Sequence, residues 1–148
     1  MPLIAVPKFE RLFREAASLD VDKDDLKRHQ DFVVKKTRDL LVVGQAAAKA
    51  NNRDIVQYRD LPITAGLQKT IDEFEKLDTE LELRPILDQL ATHSPEITLS
   101  VEAEERMPSV VGGLTVALAR SFKIIDPETH NPSTTHWERA TQIFDLLL

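Results

Sequence analysis

The chain of 148 residues contains no cysteine and only four glycines. Without cysteine it cannot form disulfides, thiolate metal sites or a cysteine nucleophile. The pair Gly112-Gly113 is not followed by the Lys-Ser/Thr of a phosphate-binding loop, and no glycine-rich dinucleotide fingerprint occurs. Thiol chemistry is therefore excluded, and neither of these two nucleotide-binding motifs is present.

Other motifs of catalysis and metal binding are also absent from the sequence. It contains neither Gly-x-Ser-x-Gly nor His-Glu-x-x-His. The segment 20–24 resembles the opening of a calcium loop, but Asp25 stands where the sharp turn needs glycine, so we predict a helix cap there instead. The loop containing Asp126, Glu128, His130 and His136 fits no standard zinc spacing. We predict no catalytic residue, no cofactor and no metal site.

Long apolar runs and a basic N-terminal segment are missing too. No stretch approaches the roughly 20 apolar residues of a membrane span. The segment 1–7 lacks the positive charges that begin a signal peptide. We therefore expect a cytoplasmic protein, or a nucleoid-associated one if the chain binds DNA, with no membrane partner.

Positive charge is scarce in the second half of the chain. Residues 1–76 hold 14 Lys/Arg and 13 Asp/Glu, whereas residues 77–148 hold 5 and 12. The formal charges of the halves are thus +1 and −7, which together give the net charge of −6. This asymmetry argues against a chain built entirely for nucleic acid.

The segment 26–50 predicts one long helix around which the chain is organised. It has no proline and one glycine, and at about 1.5 Å per residue it would be roughly 37 Å long. Its apolar residues recur at helical spacing at Leu26, Val33, Leu40, Leu41, Gly44, Ala47 and Ala48. Additional apolar residues at Phe32, Val34, Val42 and Val43 predict that the helix is covered on more than one side. Shorter amphipathic helices precede and follow it, so the fold class is all-α.

The ends of this helix resemble the histone fold. The segment 6–17, the acidic loop that follows, the long helix and the group Arg53, Ile55 and Asp60 are similar to the archaeal histones over residues 6–76. The resemblance implies an ion pair in which Arg53, in the second loop, binds Asp60, which opens the third helix. The plan is short–long–short, in a first unit that spans residues 6–77.

The second half, residues 80–148, predicts another short–long–short unit. Helices are expected over 81–91, 100–126 and 135–148, with a loop at 92–96 and a capping box at Thr135–Glu138. As a whole the chain resembles a bacterial family of single-chain histone pairs, which implies one compact domain over 1–148 forming an intramolecular pseudo-dimer. The strand-like segments 54–56 and 97–99 are then expected to pair. Glycines 44, 112 and 113 indicate either close helix approach or a kink.

Basic residues on the long helix are candidate nucleic-acid contacts. They are Lys27, Arg28, Lys35, Lys36 and Arg38, together with Arg53 in the following loop. In archaeal histones the loops contact DNA phosphates, but here they carry Asp20, Asp22, Asp24, Asp25 and Asp54. We therefore expect duplex DNA to bind no better than nonspecifically, at about 10⁻⁴–10⁻⁶ M. The predicted function is a non-catalytic protein-interaction or assembly module whose partner is another protein or a second copy. The alternative is a nucleoid-associated DNA-binding protein.

Overall fold

The computed structural model describes residues 6–90 and 96–148, and 77% of this part of the chain is helical. The helices are α1 (Val6–Ala17), α2 (Lys23–Ala50), α3 (Ala65–Leu81), α4 (Arg84–Leu90), α5 (Val101–Ile125) and α6 (Thr134–Leu147). Two short strands, β1 (Ile55–Val56) and β2 (Thr98–Leu99), and a 3₁₀ turn at Tyr58–Asp60 complete the order. The all-α prediction is confirmed.

Side-chain caps fix where the helices begin. Asp22 accepts from the backbone N of Asp25, and Asp25 accepts in return from the backbone N of Asp22, which closes a capping box at the start of α2. Thr64 caps α3 and Ser100 caps α5, and the side chain of each accepts one hydrogen bond from a backbone N of its helix. The prediction for α6 was wrong by two residues, because Ser133 caps it.

The connection between the halves also differs from the prediction. Residues 78–80, at the boundary between the two predicted units, form the last turn of α3. The helix ends at Glu82, whose φ of 54° is left-handed, and the Asp78 carboxylate accepts from the backbone N of Leu83. Helix α4 therefore starts at Arg84 rather than at residue 81. Ala91 and most of the predicted loop, 92–95, lie outside the described residues.

Helix α5 lies at the centre of the molecule. Helices α1 and α3 from the first half, and α4 and α6 from the second, all pack on it, and α3 packs along it most extensively. Fourteen of its 25 residues are buried. The short helices of the first half, α1 and α3, are therefore covered by the long helix of the second half.

The prediction that α2 is covered on more than one side was wrong, because Val34, Val42 and Val43 are 44, 47 and 48% exposed.

Two glycines let α3 approach α5 closely. A Cβ added to Gly112 would lie within 2.5 Å of three ring carbons of Phe74, and one added to Gly113 would lie 2.9 Å from the backbone N and Cα of Ile71. Gly44 instead faces Leu61 and Val56. Close approach is therefore the reason for these glycines, and their neighbours belong to α3 and to the segment after α2 rather than to the other long helix.

Loops of the two halves meet in pairs at two places. Strands β1 and β2 are parallel, with Ile55 opposite Thr98 and Val56 opposite Leu99. The predicted pairing of segments 54–56 and 97–99 is thus confirmed. On the other side, the backbone N of Asp20, before α2, donates to the backbone O of His130, before α6, at 2.6 Å.

In the described part of the chain, α5 alone is long and apolar enough to cross a bilayer. Most of its apolar stretch is buried inside the protein. The helix therefore belongs to the core of the fold.

Candidate interaction site

Arg53 and Asp60 lie together in the loop between α2 and α3. The Arg53 guanidinium donates through Nη1 to Oδ2 of Asp60 at 2.6 Å and through Nη2 to Oδ1 at 2.7 Å. The Asp60 carboxylate also accepts from the backbone N of Gln57, and the bond from Arg53 holds the pKa of Asp60 down at about 2. This bidentate pair ties the end of α2 to the turn before α3. Because both terminal nitrogens of Arg53 donate to Asp60, its guanidinium is a poor ligand for phosphate.

Replacing Arg53 by alanine is expected to lower the urea midpoint of unfolding. Only 4% of the Asp60 side chain is exposed, so losing Arg53 leaves a carboxylate without its cation. The exposed neighbour Arg59, which donates to the side chain of Gln57 and not to the Asp60 carboxylate, provides the matched control Arg59→Ala. The double change Arg53→Met with Asp60→Leu should recover part of the loss. Equal midpoints for Arg53→Ala and Arg59→Ala would show that the pair contributes nothing.

Two of the candidate nucleic-acid contacts on α2 are held by a carboxylate of α6. Lys35 and Lys36 both place Nζ at 2.7 Å from Oδ1 of Asp145, and Asp39 is a second partner for each. The bond from Lys35, followed by that from Lys36, lowers the pKa of Asp145. The side chain of Lys36 is only 3% exposed, so its assignment as a DNA contact is corrected: it joins α2 to the end of α6 instead.

The remaining candidate contacts are exposed. Lys27, Arg28 and Arg38 lie on the outside of α2, and Arg28 donates to Oγ1 of Thr134. The acidic loop residues Asp20, Asp22, Asp24 and Asp54 are also exposed. Asp25 is buried, where its carboxylate accepts from Nε1 of Trp137 at 2.8 Å. Carboxylates thus occupy the loop ends, where a histone surface needs cations for phosphate.

His29 is a buried residue that no sequence motif singled out. It lies under Phe9 and Phe13 of α1, and its Nε2 is 2.8 Å from Oγ1 of Thr115 in α5. The Thr115 hydroxyl donates to the backbone O of Val111, so it accepts from His29, whose Nε2 therefore carries the proton. Burial lowers the pKa of His29 to about 3. Its position three residues after Leu26 and four before Val33, on the apolar stripe, was the available signal.

An apolar groove opens between the start of α3, the middle of α5 and the end of α6. Its volume is about 370 Å³, and it is lined by Thr64, Leu67, Ala117, Ser121, Ile143, Phe144, Leu147 and Leu148. Ile143 and Leu147 beside it are 42 and 70% exposed, and Leu146 is 83% exposed. Ile124, which shares the α5 face with Ala117 and Ser121, is 81% exposed. We call the groove and these four exposed side chains the C-terminal face. Ile143 and Leu147 continue the apolar spacing of Trp137 and Phe144 along α6, but they lie at the surface.

Side chains that could hold a metal are not brought together in the described ranges 6–90 and 96–148. No group of three or more His, Asp or Glu residues is placed to bind an ion there. Asp22 and Asp25 instead cap α2, and Asp126 lies 3.2 Å from Nε2 of His136.

Comparisons with known proteins agree with this picture of an all-helical chain. A crystal structure of a Thermus thermophilus protein has a TM-score of 0.86 and 50% identity, covering 97% of each chain. A 1.9 Å crystal structure of an Aquifex aeolicus protein has a TM-score of 0.82 at 23% identity, covering 96% of this chain and 94% of that one, and shows the shared fold. A curated Aquifex aeolicus (strain VF5) relative, called an uncharacterized protein, is 32% identical over 130 residues, 79% of this chain and 76% of its own. The family model described as a domain of unknown function, DUF1931, matches residues 9–145, and the chain therefore belongs to that family.

Proposed function

We propose that this chain is a histone-fold pair within one polypeptide and that it serves as a non-catalytic assembly module. Two sets of helices follow the short–long–short order, α1–α2–α3 and α4–α5–α6. The loop after each long helix meets the loop before the other, once as the parallel pair β1–β2 and once through Asp20 and His130. This exchange of loops is the arrangement that the resemblance to histones implies.

Packing across the halves supports the pseudo-dimer. Helices α1 and α3 contact α5 more extensively than they contact α2. Neither half would bury its own apolar faces if it were cut from the other, and joining them in one chain makes their association independent of concentration. The pseudo-dimer therefore serves as a scaffold, and its function depends on what its surface binds.

The single observation that carries the assembly function is the C-terminal face. Ile143 and Leu147 line an apolar groove that nothing in the described structure fills, and both are exposed. Leu146 is exposed next to Leu147 on α6, and Ile124 is exposed on the side of α5 that carries Ala117 and Ser121. Isolated exposed side chains are common in soluble proteins, whereas a contiguous apolar patch beside a groove is typical of an interaction site. The patch lies on α5 and α6, which are held by the core, so the surface is preformed.

We infer that a second copy of the chain covers this face. The face presents both a groove and protruding side chains. In two copies related by a two-fold axis, the side chains of each copy would fill the groove of the other, so the face is self-complementary. A two-fold dimer buries four such side chains from each copy, eight in all, and this contributes on the order of 15 kcal/mol. An association cost of about 7 kcal/mol leaves the roughly 8 kcal/mol that corresponds to a micromolar dissociation constant. The expected assembly is a reversible dimer with a dissociation constant in the micromolar range.

Sedimentation equilibrium of Leu147→Asp tests this function. The wild-type chain should show a mass that rises from one copy toward two over about 1–100 μM, and the variant should stay at one copy. The matched control is Ile55→Asp, because Ile55 is a half-exposed aliphatic residue on β1, outside the C-terminal face. The helical circular dichroism and melting temperature of each variant establish that it is folded. A wild-type chain that remains one copy at about 100 μM contradicts the proposal, as does a variant that associates normally.

A further inference from the structure

A second surface, on the outside of α2, is basic and partly apolar. Exposed residues at positions 27, 31, 34, 38, 42, 46 and 49 follow helical spacing along one face. They include three cations, Lys27, Arg38 and Lys49, and the acid Asp31, with Val34 and Val42 between them. None of the three cations forms an ion pair or side-chain hydrogen bond with residues 6–90 or 96–148. We call this stripe the α2 outer face.

The start of α5 has the opposite charge. Val101 is 73% exposed, and Glu104 and Glu105 share its side of the helix at the i+3 and i+4 positions. Glu96 is exposed in the loop just before β2. Within the described ranges, the carboxylates of Glu96, Glu104 and Glu105 have no ion-pair partner, whereas Glu102 pairs with Arg106 at 3.1 Å. We call Glu96, Val101, Glu104 and Glu105 the acidic end.

We propose that the α2 outer face of one copy binds the acidic end of another copy, in a head-to-tail contact separate from the C-terminal face. Each surface combines exposed valine with charges of one prevailing sign that are not neutralised inside the described chain. Their signs are complementary, with Arg38 and its neighbouring cations opposite Glu104 and Glu105. Because the two surfaces differ, the contact is heterologous and can repeat from copy to copy.

A protein surface suits the α2 outer face better than a nucleic acid or a lipid does. The aliphatic side chains of Val34 and Val42 lie between the cations, and a duplex backbone offers them only charged phosphate and sugar. Valine and alanine on a helix held in the fold are too short to insert into a bilayer in the way that Trp, Phe or Leu anchors do. Arg38, with its long aliphatic stem, can pack beside a valine and still reach a carboxylate.

The contact should be weak and sensitive to salt. Each copy carries a net charge of −6, so the copies repel each other at long range, and the local pairs must overcome that repulsion. The Debye length is about 8 Å at physiological ionic strength and about 3 Å at 1 M, so salt screens the attraction between exposed charges. Association through the acidic end should therefore weaken about tenfold or more between about 0.05 M and 0.5 M NaCl. Association through the apolar C-terminal face should be unchanged or strengthened by the same salt.

Charge reversal tests the proposal, and the experiment is done in the Leu147→Asp background so that the C-terminal face does not contribute. One chain carries Arg38→Glu with Lys49→Glu, and a second carries Glu104→Lys with Glu105→Lys. Each alone should lose the low-salt association that the background chain shows in sedimentation velocity, because its two surfaces then have the same sign. Mixing the two chains should restore it, because the reversed α2 outer face then meets a reversed acidic end and the unreversed surfaces also match. Circular dichroism shows that each chain remains folded.

Several outcomes would overturn the proposal. These are a background chain that does not associate at low salt, charge-reversed chains that associate as the background does, and a mixture that behaves as the sum of its parts. Nanomolar binding of duplex DNA that Arg38→Glu abolishes would assign the α2 outer face to nucleic acid. Binding to vesicles of anionic phospholipid that is lost in the same variant would assign it to a lipid surface. The proposed function fails separately, through the Leu147→Asp comparison in the otherwise unchanged chain.

Discussion

Replacing Gly113 by alanine is expected to destabilise the protein by about 2 kcal/mol or more, even though alanine favours helix. The new Cβ would lie 2.9 Å from backbone atoms of Ile71 and closer still to its side chain. A side chain can rotate away, but backbone in the middle of α3 cannot move without shifting the helix. The contact between α3 and α5 is more extensive than that between any other pair of elements. Such a shift would therefore disturb most of the core between the halves.

Gly66→Ala is the matched control for this prediction. Gly66 lies in the first turn of α3, and a Cβ added there meets no atom within 4 Å. The same chemical change should therefore stabilise the protein by about 0.5–1 kcal/mol, because it lowers the conformational entropy of the unfolded chain. Urea unfolding followed by circular dichroism measures both variants. If Gly113→Ala is as stable as Gly66→Ala, then α3 and α5 are not in close contact at this point.

Acid is expected to destabilise the protein through His29 well before its carboxylates titrate. The unfolded histidine has a pKa near 6.5, whereas burial lowers the pKa of folded His29 to about 3. Below pH 6.5 the unfolded chain therefore binds a proton that the folded chain excludes, so stability falls as the pH drops from 6.5 toward 3. Between about pH 7 and pH 4.5 the loss should be about 3 kcal/mol.

The direction of this effect follows from the surroundings of His29. Its Nδ1 is buried without a hydrogen-bond partner among the described residues, and aromatic rings lie beside it. No carboxylate contacts the ring there, so an imidazolium would be an unpaired charge in the core. Asp60 and Asp145 have lowered pKa values, so their contributions are present above about pH 4 and are lost only below it. Burial raises the pKa of Asp25, so its carboxyl takes up a proton more readily in the folded chain. This group therefore favours the folded state as the pH falls, opposite to the effect of His29.

His29→Leu should remove most of the stability loss between about pH 7 and pH 4.5. Leucine fits the apolar surroundings, and the Thr115 hydroxyl keeps its bond to Val111. His130→Gln is the control, because His130 is exposed and its substitution leaves the core intact. Urea unfolding at a series of pH values measures the effect. An acid slope that is the same in His29→Leu as in the wild type would mean that His29 is not excluded from protonation in the folded state.

Local features of the fold were predictable from the sequence. Apolar periodicity and cap residues indicated the long helices because each depends on neighbours within a few residues. The seven-residue spacing of Arg53 and Asp60 lies within one loop and the turn that follows it, where the structure places the ion pair. Segments 54–56 and 97–99 were recognised as strand-like, and their pairing followed from the resemblance to a histone pair.

The exposed apolar surfaces were not predictable in the same way. Ile143 and Leu147 continue the apolar pattern of α6, and only the position of α5 and α3 shows that they lie outside the core. Val34 and Val42 likewise read as apolar helix positions, yet no described element covers them. A periodic pattern shows that a helix has an apolar side, but it does not show which part of that side another element reaches.

The sequence by itself determined an all-helical, cysteine-free chain in two short–long–short halves, because those properties depend on composition and on contacts close in the chain. Only the tertiary structure decided that α5 rather than α2 is the central helix, because this depends on where the short helices pack. It also decided that Lys36 is buried, since Asp145 at the far end of the chain supplies the compensating charge. A lysine or a histidine on a helix can be solvated or enclosed, and the difference is made by elements that are distant in sequence.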